Sequence, residues 1–135
     1  MSNEIPVLTN QQDALEAVHE GESCNIIGQF AMGSVNITQT QLQTAVWTLY
    51  DDETDTIINS RENVDMLSAV GAGGNFTLRL GPTDNVLVGS NPSEGDVEYH
   101  VVRIVYTWDD GTEVRTGKHE VKFYVLKMAT PQQPS

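Results

Sequence analysis

Carboxylates are the most concentrated chemistry-bearing groups in this sequence. Four of the five residues from 51 to 55 are Asp or Glu, and carboxylate oxygens are ligands that Ca²⁺ prefers. The calcium loop of an EF-hand needs ligands at alternate positions, a central Gly and a distant Glu, and residues 51–55 do not supply that pattern. This segment is therefore interpreted as a solvated turn, as are residues 109–111, and no metal ligand is predicted in either.

Two of the three histidines, His100 and His119, lie in neighbouring segments that alternate as strands do. If these segments pair with Trp108 opposite Thr112, the two imidazoles point to opposite faces of the sheet. A structural zinc site needs four ligands in one place, so this register predicts no zinc site.

Cys24 is the only cysteine and lies in an apolar stretch, where it is interpreted as a buried, unreactive thiol. A nucleophilic cysteine needs a positioned base, and none of the histidines stands in a recognisable motif. A phosphate-binding glycine loop and the Gly-x-Ser-x-Gly and His-Glu-x-x-His motifs are missing too. We therefore predict no catalytic residue, no cofactor and no enzymatic activity; residue chemistry alone indicates an all-β domain and reveals no activity.

The charge of the chain is acidic and unevenly distributed. Seven Lys and Arg stand against nineteen Asp and Glu, a net charge of −12 over 135 residues, which disfavours nucleic acid and anionic membranes as partners. No Lys or Arg precedes Arg61. Two interpretations stay open: the charges are ordinary solvated strand faces, or the acidic first part of one copy meets the basic final hairpin of another. The candidate partner-contact residues are Arg103, Arg115, Lys118, Lys122 and Lys127.

The stretch from Val97 to Met128 predicts a long β-hairpin on which the rest of the chain is organised. Apolar and polar residues alternate on both sides of Asp-Asp-Gly at 109–111, which is a strong hairpin-turn signal. In the register given above, Glu98 lies opposite Lys122 as a cross-strand ion pair.

Inside the first strand of this hairpin, Val101 and Val102 are adjacent apolar residues. A bulge or a strand buried on both faces is expected there. Tyr99, which follows a corner, is assigned the role of a tyrosine corner.

Shorter alternating segments precede the hairpin. The predicted strands are 24–32, 45–50, 56–59 and 75–80. Gly28 offers a site for a bulge, residues 36–43 are a loop or a weak strand, and residues 71–74 are a flexible glycine connection. Residues 81–84 are predicted to start a corner, with residues 86–88 tucked under it. The predicted structural core is Trp47, Leu49, Phe76, Leu78, Leu80, Tyr99, Val121, Phe123 and Val125.

These elements predict one all-β domain, an immunoglobulin-like β-sandwich of about seven strands. Residues 1–20 are expected to be a polar arm with either a short helix or an edge strand near residues 9–19, and both readings stay open. The sandwich spans residues 21–128, and a flexible tail follows at 129–135. We expect no signal peptide and no membrane-spanning segment.

Three segments resemble the immunoglobulin-like domains of tailed-bacteriophage virion proteins. The first is the hairpin at 46–58, with Trp-x-Leu, an acidic turn and paired Ile residues. The second, at 76–87, has Phe-x-Leu, Pro-x-Asp and an apolar corner, and the third is the closing hairpin, with its acidic-Gly turn and Phe-x-Val. The resemblance covers residues 44–127; the preceding residues match no segment of that family.

The resemblance implies a structural virion component made in the host cytoplasm, such as a capsid decoration protein or a baseplate or tail protein. Other capsid or tail proteins are the implied partners, with several copies around a symmetry axis. The alternative hypothesis is a carbohydrate-binding or adhesion module, for which Tyr50, Tyr106, Trp108 and Tyr124 would have to point outward together.

Overall fold

The structure, a computed structural model, describes residues 4–6, 17–89 and 97–127. Within these ranges the chain forms ten β-strands, one 3-10 turn at Leu67–Ala69 and no α-helix, so the all-β prediction is confirmed. The strands are β1 Glu4–Pro6, β2 Ala17–His19, β3 Cys24–Gln29, β4 Ala31–Met32, β5 Val35–Asn36, β6 Leu42–Asp51, β7 Val64–Asp65, β8 Asn75–Leu80, β9 Val97–Asp109 and β10 Val114–Leu126. No helix in the described part is long and apolar enough to cross a membrane.

The strands form three sheets. The largest has the order β2-β10-β9-β6-β7, a second has the order β1-β3-β8, and β4 and β5 form a separate two-stranded hairpin. One continuous hydrophobic cluster contains side chains of both larger sheets, among them Trp47 and Val102 from one and Ile26 and Phe76 from the other. The finer prediction, an immunoglobulin-like sandwich of about seven strands, stays a prediction.

The predicted core is largely confirmed because period-two alternation decides which side chains point inward. Eight of its members are buried: Trp47, Leu49, Phe76, Leu78, Leu80, Val121, Phe123 and Val125. Tyr99 is the exception, with 42% of its surface exposed, so its assignment to the core and to a tyrosine corner is wrong. The even-numbered residues of β9 point inward, and Tyr99 therefore lies on the outer face.

The long hairpin is confirmed, but its predicted register is wrong by three residues. Asp109 pairs with Val114, so that Trp108 lies opposite Arg115 rather than Thr112. A register shift by an odd number of residues moves the side chains of one strand to the opposite face relative to its partner strand. His100 and His119 therefore share the inner face instead of lying on opposite faces.

The same shift removes the predicted ion pair between Glu98 and Lys122, because Glu98 lies opposite Val125. Both Val101 and Val102 are buried although they point to opposite faces, which confirms the expectation of a strand buried on both sides. The β9–β10 register runs through both valines without interruption.

Several local expectations are wrong. The pairing of β3 with β8 runs through Gly28 without a bulge, and residues 56–59 return as a single bridge, Tyr50 to Ile57, rather than as a strand. Val86 and Val88 are more than a third exposed. They lie in a loop outside the sheets, where no strand geometry directs these side chains towards the core.

Residues 71–74 are a tight turn rather than a flexible connection. The Gly71 and Gly74 amides donate to Asn75 O and Gly71 O, and the Phe30 amide donates to Gly74 O. The Gln29 side chain donates to Gly73 O at 2.8 Å.

At the N-terminus, Ala17–His19 is a strand paired in parallel with β10, as one of the two open readings expects. Residues 7–16 and the predicted tail at 129–135 lie outside the described residues.

Candidate functional site

Asp51, Glu98 and His100 form a buried cluster at one end of the five-stranded sheet. One potential ligand atom from each lies within 4.8 Å of the other two, and no more than 4% of any of the three residues is exposed. Asp51 is the direct cross-strand neighbour of His100. Glu98 stands two residues before His100, on the same face of β9, and its Oε1 lies 3.0 Å from His100 Nε2.

Protein donors satisfy both carboxylates of this cluster. Glu98 accepts the Val88 amide at 2.8 Å on Oε1 and the Gly89 amide on Oε2. Asp51 Oδ2 accepts both the amide and the hydroxyl of Thr54 at 2.9 Å. Because these donors replace water, the two carboxylates can be buried. Glu98 thereby ties the loop at 86–89 to β9, and Asp51 closes the acidic turn.

His100 is buried against this carboxylate pair. Burial lowers the pKa of His100, while Glu98 and Asp51 oppose that shift. An ionised carboxylate can only accept, so His100 Nε2 donates to Glu98. Nδ1 has no hydrogen-bond partner among the described residues.

The cluster offers one nitrogen and two carboxylates, types that a metal ion can accept. However, the oxygens of Glu98 and Asp51 face N–H and O–H donors, whose positive ends repel a cation. The geometry therefore favours a structural hydrogen-bond network, in which His100 donates to Glu98, over a metal site.

A third buried carboxylate, Asp84, fixes the corner after β8. It accepts Arg61 Nε at 2.8 Å, the Asn59 side chain at 2.7 Å and the Gly81 amide at 2.8 Å. Burial raises the pKa of Asp84, but these hydrogen bonds outweigh it and hold the pKa below its ordinary value. Arg61 also lies over the ring of Trp47, 5.4 Å from its centroid, which connects the corner to the core.

The outer face of the five-stranded sheet carries an ordered group of aromatic and charged side chains. We call it the tyrosine face and define it as Tyr50, Tyr99, Arg103, Lys122 and Tyr124. Arg103 lies over the Tyr50 ring at 5.0 Å, Lys122 lies over the Tyr99 ring at 5.3 Å, and the rings of Tyr99 and Tyr124 meet edge to face at 5.7 Å. Together they cover Val101, which is only 4% exposed on this outward side.

Ion pairs hold the two cations of the tyrosine face. Arg103 contacts Glu120 at 3.3 Å and donates to the Tyr50 hydroxyl at 3.0 Å, and Lys122 contacts Asp52 at 3.0 Å. The Tyr50 hydroxyl in turn donates to Glu120 at 2.9 Å. Partial burial and this bond to Glu120 raise the pKa of Tyr50 to about 12, so the hydroxyl stays protonated at neutral pH.

A shallow depression of about 230 Å³ adjoins Tyr50 and Arg103. Thr48, Ile57 and Asn63 also line it. Its mixed polar and apolar lining suits one side chain of a partner better than a buried small molecule, because small-molecule sites are enclosed and mostly apolar.

The structure places three of the five predicted contact residues, Arg103, Lys118 and Lys122, on the outer face of the β9–β10 hairpin. Arg115 lies at the end of the hairpin, where it is bonded to Asp110 and lies 3.3 Å from Glu113. Lys127 follows β10. Within the described ranges neither Lys118 nor Lys127 has an ion pair. Their role in partner contact stays a prediction.

The remaining sequence candidates are structural. Cys24 is buried, and desolvation raises its pKa to about 11, which agrees with an unreactive thiol. His119 stacks on Phe30 and Tyr106, with ring centroids 6.2 and 5.1 Å apart. Tyr106 and Trp108 are buried on the inner face, so the four aromatics of the carbohydrate hypothesis do not form one platform.

Sequence reasoning missed the cluster of Asp51, Glu98 and His100. A signal was present: Glu98 and His100 occupy the same alternate positions as Val102 and Ile104, two apolar residues of the same segment. Polar residues at inward positions need partners inside the protein, and that requirement points to a buried network.

Comparison with known proteins gives little further guidance. No family model and no curated protein matches the chain. Among solved structures, the N-terminal domain of phage TP901-1 ORF48 is similar at 10% sequence identity and a TM-score of 0.44, over 93% of this chain and 97% of that one. At that TM-score the likeness does not establish a common fold.

Proposed function

We propose that this chain is a non-enzymatic structural component of a bacteriophage particle, and that it binds capsid or tail proteins through the tyrosine face. The observation that carries the proposal is the composition of that face: three tyrosines and Arg103 on the solvent side of a sheet. Tyr and Arg are enriched at protein interfaces and at their energetic hot spots. The phage particle as the setting is what the resemblance of residues 44–127 implies.

The order within the tyrosine face supports a role in binding. Ion pairs to Glu120 and Asp52 hold Arg103 and Lys122 over their aromatic neighbours. Side chains that are already ordered lose less conformational freedom when a partner docks. The depression beside Tyr50 and Arg103 can receive one anchoring side chain of that partner.

A protein partner is favoured over a glycan on this face. Sugar rings stack on open aromatic faces, whereas Lys122 and Arg103 cover the rings of Tyr99 and Tyr50. Tyr99 and Tyr124 are inclined at 67° to each other and do not make a flat platform.

The test uses particles of the phage that encodes this chain, grown with and without its gene. Purified wild-type protein should cosediment with the particles that lack it. The double substitution Tyr99→Ala and Tyr124→Ala should weaken binding at least about tenfold, as loss of two hot-spot residues does. Arg79→Ala, an exposed position on β8 in the other sheet, is the matched control and should bind as the wild type does.

Two results would overturn the proposal. One is the absence of the protein from purified wild-type particles by mass spectrometry. The other is binding to a glycan array that the Tyr99→Ala and Tyr124→Ala substitutions abolish, which would assign the face to carbohydrate.

A further inference from the structure

The shallow depression beside Tyr50 and Arg103 lies where strands and loops meet on the outer face of the five-stranded sheet. Thr48 and Tyr50 come from β6, and Arg103 lies opposite Thr48 on β9. Two carboxylates also line the depression, Asp55 from the acidic turn and Glu62 from the segment before β7. The depression therefore joins side chains of the tyrosine face to two acidic residues outside that face.

Hydrogen bonds on both sides of Glu62 fix the rim of the depression. Before it, the Arg61 carbonyl accepts the Leu49 amide at 2.9 Å. After it, the Asn63 amide donates to the Thr48 hydroxyl at 3.0 Å. The segment that carries Glu62 is therefore tied to β6 before a partner arrives, and its backbone loses little freedom when one docks.

The charge of the depression is negative. Arg103 is a cation in its lining, but Glu120 contacts Arg103 at 3.3 Å, and the Tyr50 hydroxyl accepts from it at 3.0 Å. Asp55 and Glu62 are exposed, and within the part of the chain that the structure describes neither has an ion pair. Two carboxylates are therefore left without a counter-charge, on a chain whose net charge is −12.

We propose that the depression receives one lysine or arginine side chain of the partner protein, with its charged head at Asp55 and Glu62. The inference rests on the proposed function, because it names the side chain that the partner brings to this part of the tyrosine face. Lys and Arg bury an apolar stem while their heads stay near water. Tyr50 and Ile57 offer that stem an apolar wall, and the open rim leaves the head solvated.

An acidic side chain of the partner does not suit this depression. Its carboxylate would have to compete with Glu120 for Arg103. It would also meet Asp55 and Glu62, and like charges at close range repel. A metal ion has no apolar stem and would leave the apolar wall uncovered.

Two small probes test the depression without any virion protein. N-acetyl-arginine methylamide is a cation, and N-acetyl-aspartate methylamide is the matching anion. Each is added to the isotope-labelled full chain, followed by nuclear magnetic resonance at low ionic strength, where exposed charges are screened least. The arginine probe should shift the amide signals of Ile57 and Asn63 in a saturable way, and the aspartate probe should not.

Neutral substitutions of similar size test the two carboxylates. Asp55 has a φ of +60°, which Asn tolerates, so Asp55→Asn keeps the turn. Asp55→Asn combined with Glu62→Gln should weaken binding of the arginine probe about fivefold, as loss of two exposed ionic contacts does. Glu53→Gln is the matched control, because Glu53 is exposed on the same acidic turn and does not line the depression. It should bind the arginine probe as the wild type does.

Cosedimentation with the particles separates this inference from the proposed function. Glu62→Lys should weaken binding to the particles, and Glu53→Lys should not. If Glu62→Lys binds as the wild type does, while Tyr99→Ala with Tyr124→Ala still weakens binding, the inference fails and the proposed function stands.

The probes can also contradict the inference directly. Equal shifts with both probes, or arginine binding that the double neutral substitution leaves unchanged, would overturn it. Saturable arginine binding by a wild-type chain that does not cosediment would support the basic side chain as the occupant and remove the particle as its setting.

Discussion

At the scale of single residues, the buried Glu98 carboxylate has several hydrogen-bond partners to lose. Glu98→Ala removes the acceptor of the Val88 and Gly89 amides and of His100 Nε2. Buried donors left without an acceptor cost about 1–3 kcal/mol each, so we expect a loss of about 3 kcal/mol in the free energy of unfolding, measured by urea denaturation. Glu53→Ala, on the exposed acidic turn, is the control and should change stability by less than about 0.5 kcal/mol. Equal effects of the two substitutions would show that Glu98 is not holding the loop.

The two buried histidines should make stability depend on pH. Burial lowers the pKa of both His100 and His119 in the folded protein, whereas a histidine in the unfolded chain titrates near 6.5. As the pH falls below about 6.5, the unfolded chain therefore takes up protons first, and the folded state loses stability. Above that pH both histidines are neutral in the folded and in the unfolded chain, so they cause no further change of stability with pH.

The loss should approach about 1.4 kcal/mol per pH unit for each histidine, until the pH reaches its folded-state pKa. Urea denaturation between pH 5 and 8 measures this slope. His119→Phe should reduce it and leave the His100 contribution. A free energy of unfolding that stays constant between pH 5 and 7 would contradict the predicted direction.

At the scale of elements, the turn before β8 depends on one glycine. Gly74 has a φ of +88°, and a Cβ placed there would lie 1.8 Å from Ile37 O. Gly74→Ala should therefore cost at least about 2 kcal/mol, more than the usual price of alanine at positive φ. Gly73→Ala next to it meets no atom within 4 Å and is the matched control. Similar melting temperatures for both variants would show that the turn can open without disturbing the sheets.

The long hairpin shows what could and could not be predicted from sequence at this scale. Alternation located both strands and the buried face of β10 correctly. The register depended on the turn, where Asp110 accepts the Thr112 and Glu113 amides and also binds Arg115. Those contacts make a turn of four residues, Asp110 to Glu113, between the strands. Side-chain bonds of this kind are not encoded in the apolar pattern, and the three-residue error followed from them.

The candidate site was less predictable than the core, and the reason is the type of residue that points inward. Tyr99 is aromatic and is predicted inside, while Glu98 is predicted to pair with Lys122. The structure turns Glu98 inward, where the amides of the loop at 86–89 give it donors that sequence spacing does not reveal. The sequence pointed to Arg103 and Lys122 as contact residues and to Tyr50 and Tyr124 as members of an aromatic platform. It did not show that they share one face with Tyr99, since the three tyrosines come from β6, β9 and β10.

At the scale of the whole molecule, the two larger sheets should unfold together. Their inward side chains belong to one hydrophobic cluster, and the Arg61–Asp84 bond joins the loop after β6 to the corner after β8. We therefore expect far-ultraviolet circular dichroism and the fluorescence of Trp47 and Trp108 to report the same thermal midpoint. Asp84→Ala should lower both midpoints equally, whereas Glu53→Ala on the exposed turn should lower neither. Because both tryptophans lie in the five-stranded sheet, a fluorescence midpoint that separates from the circular dichroism midpoint would mean that the three-stranded sheet unfolds independently.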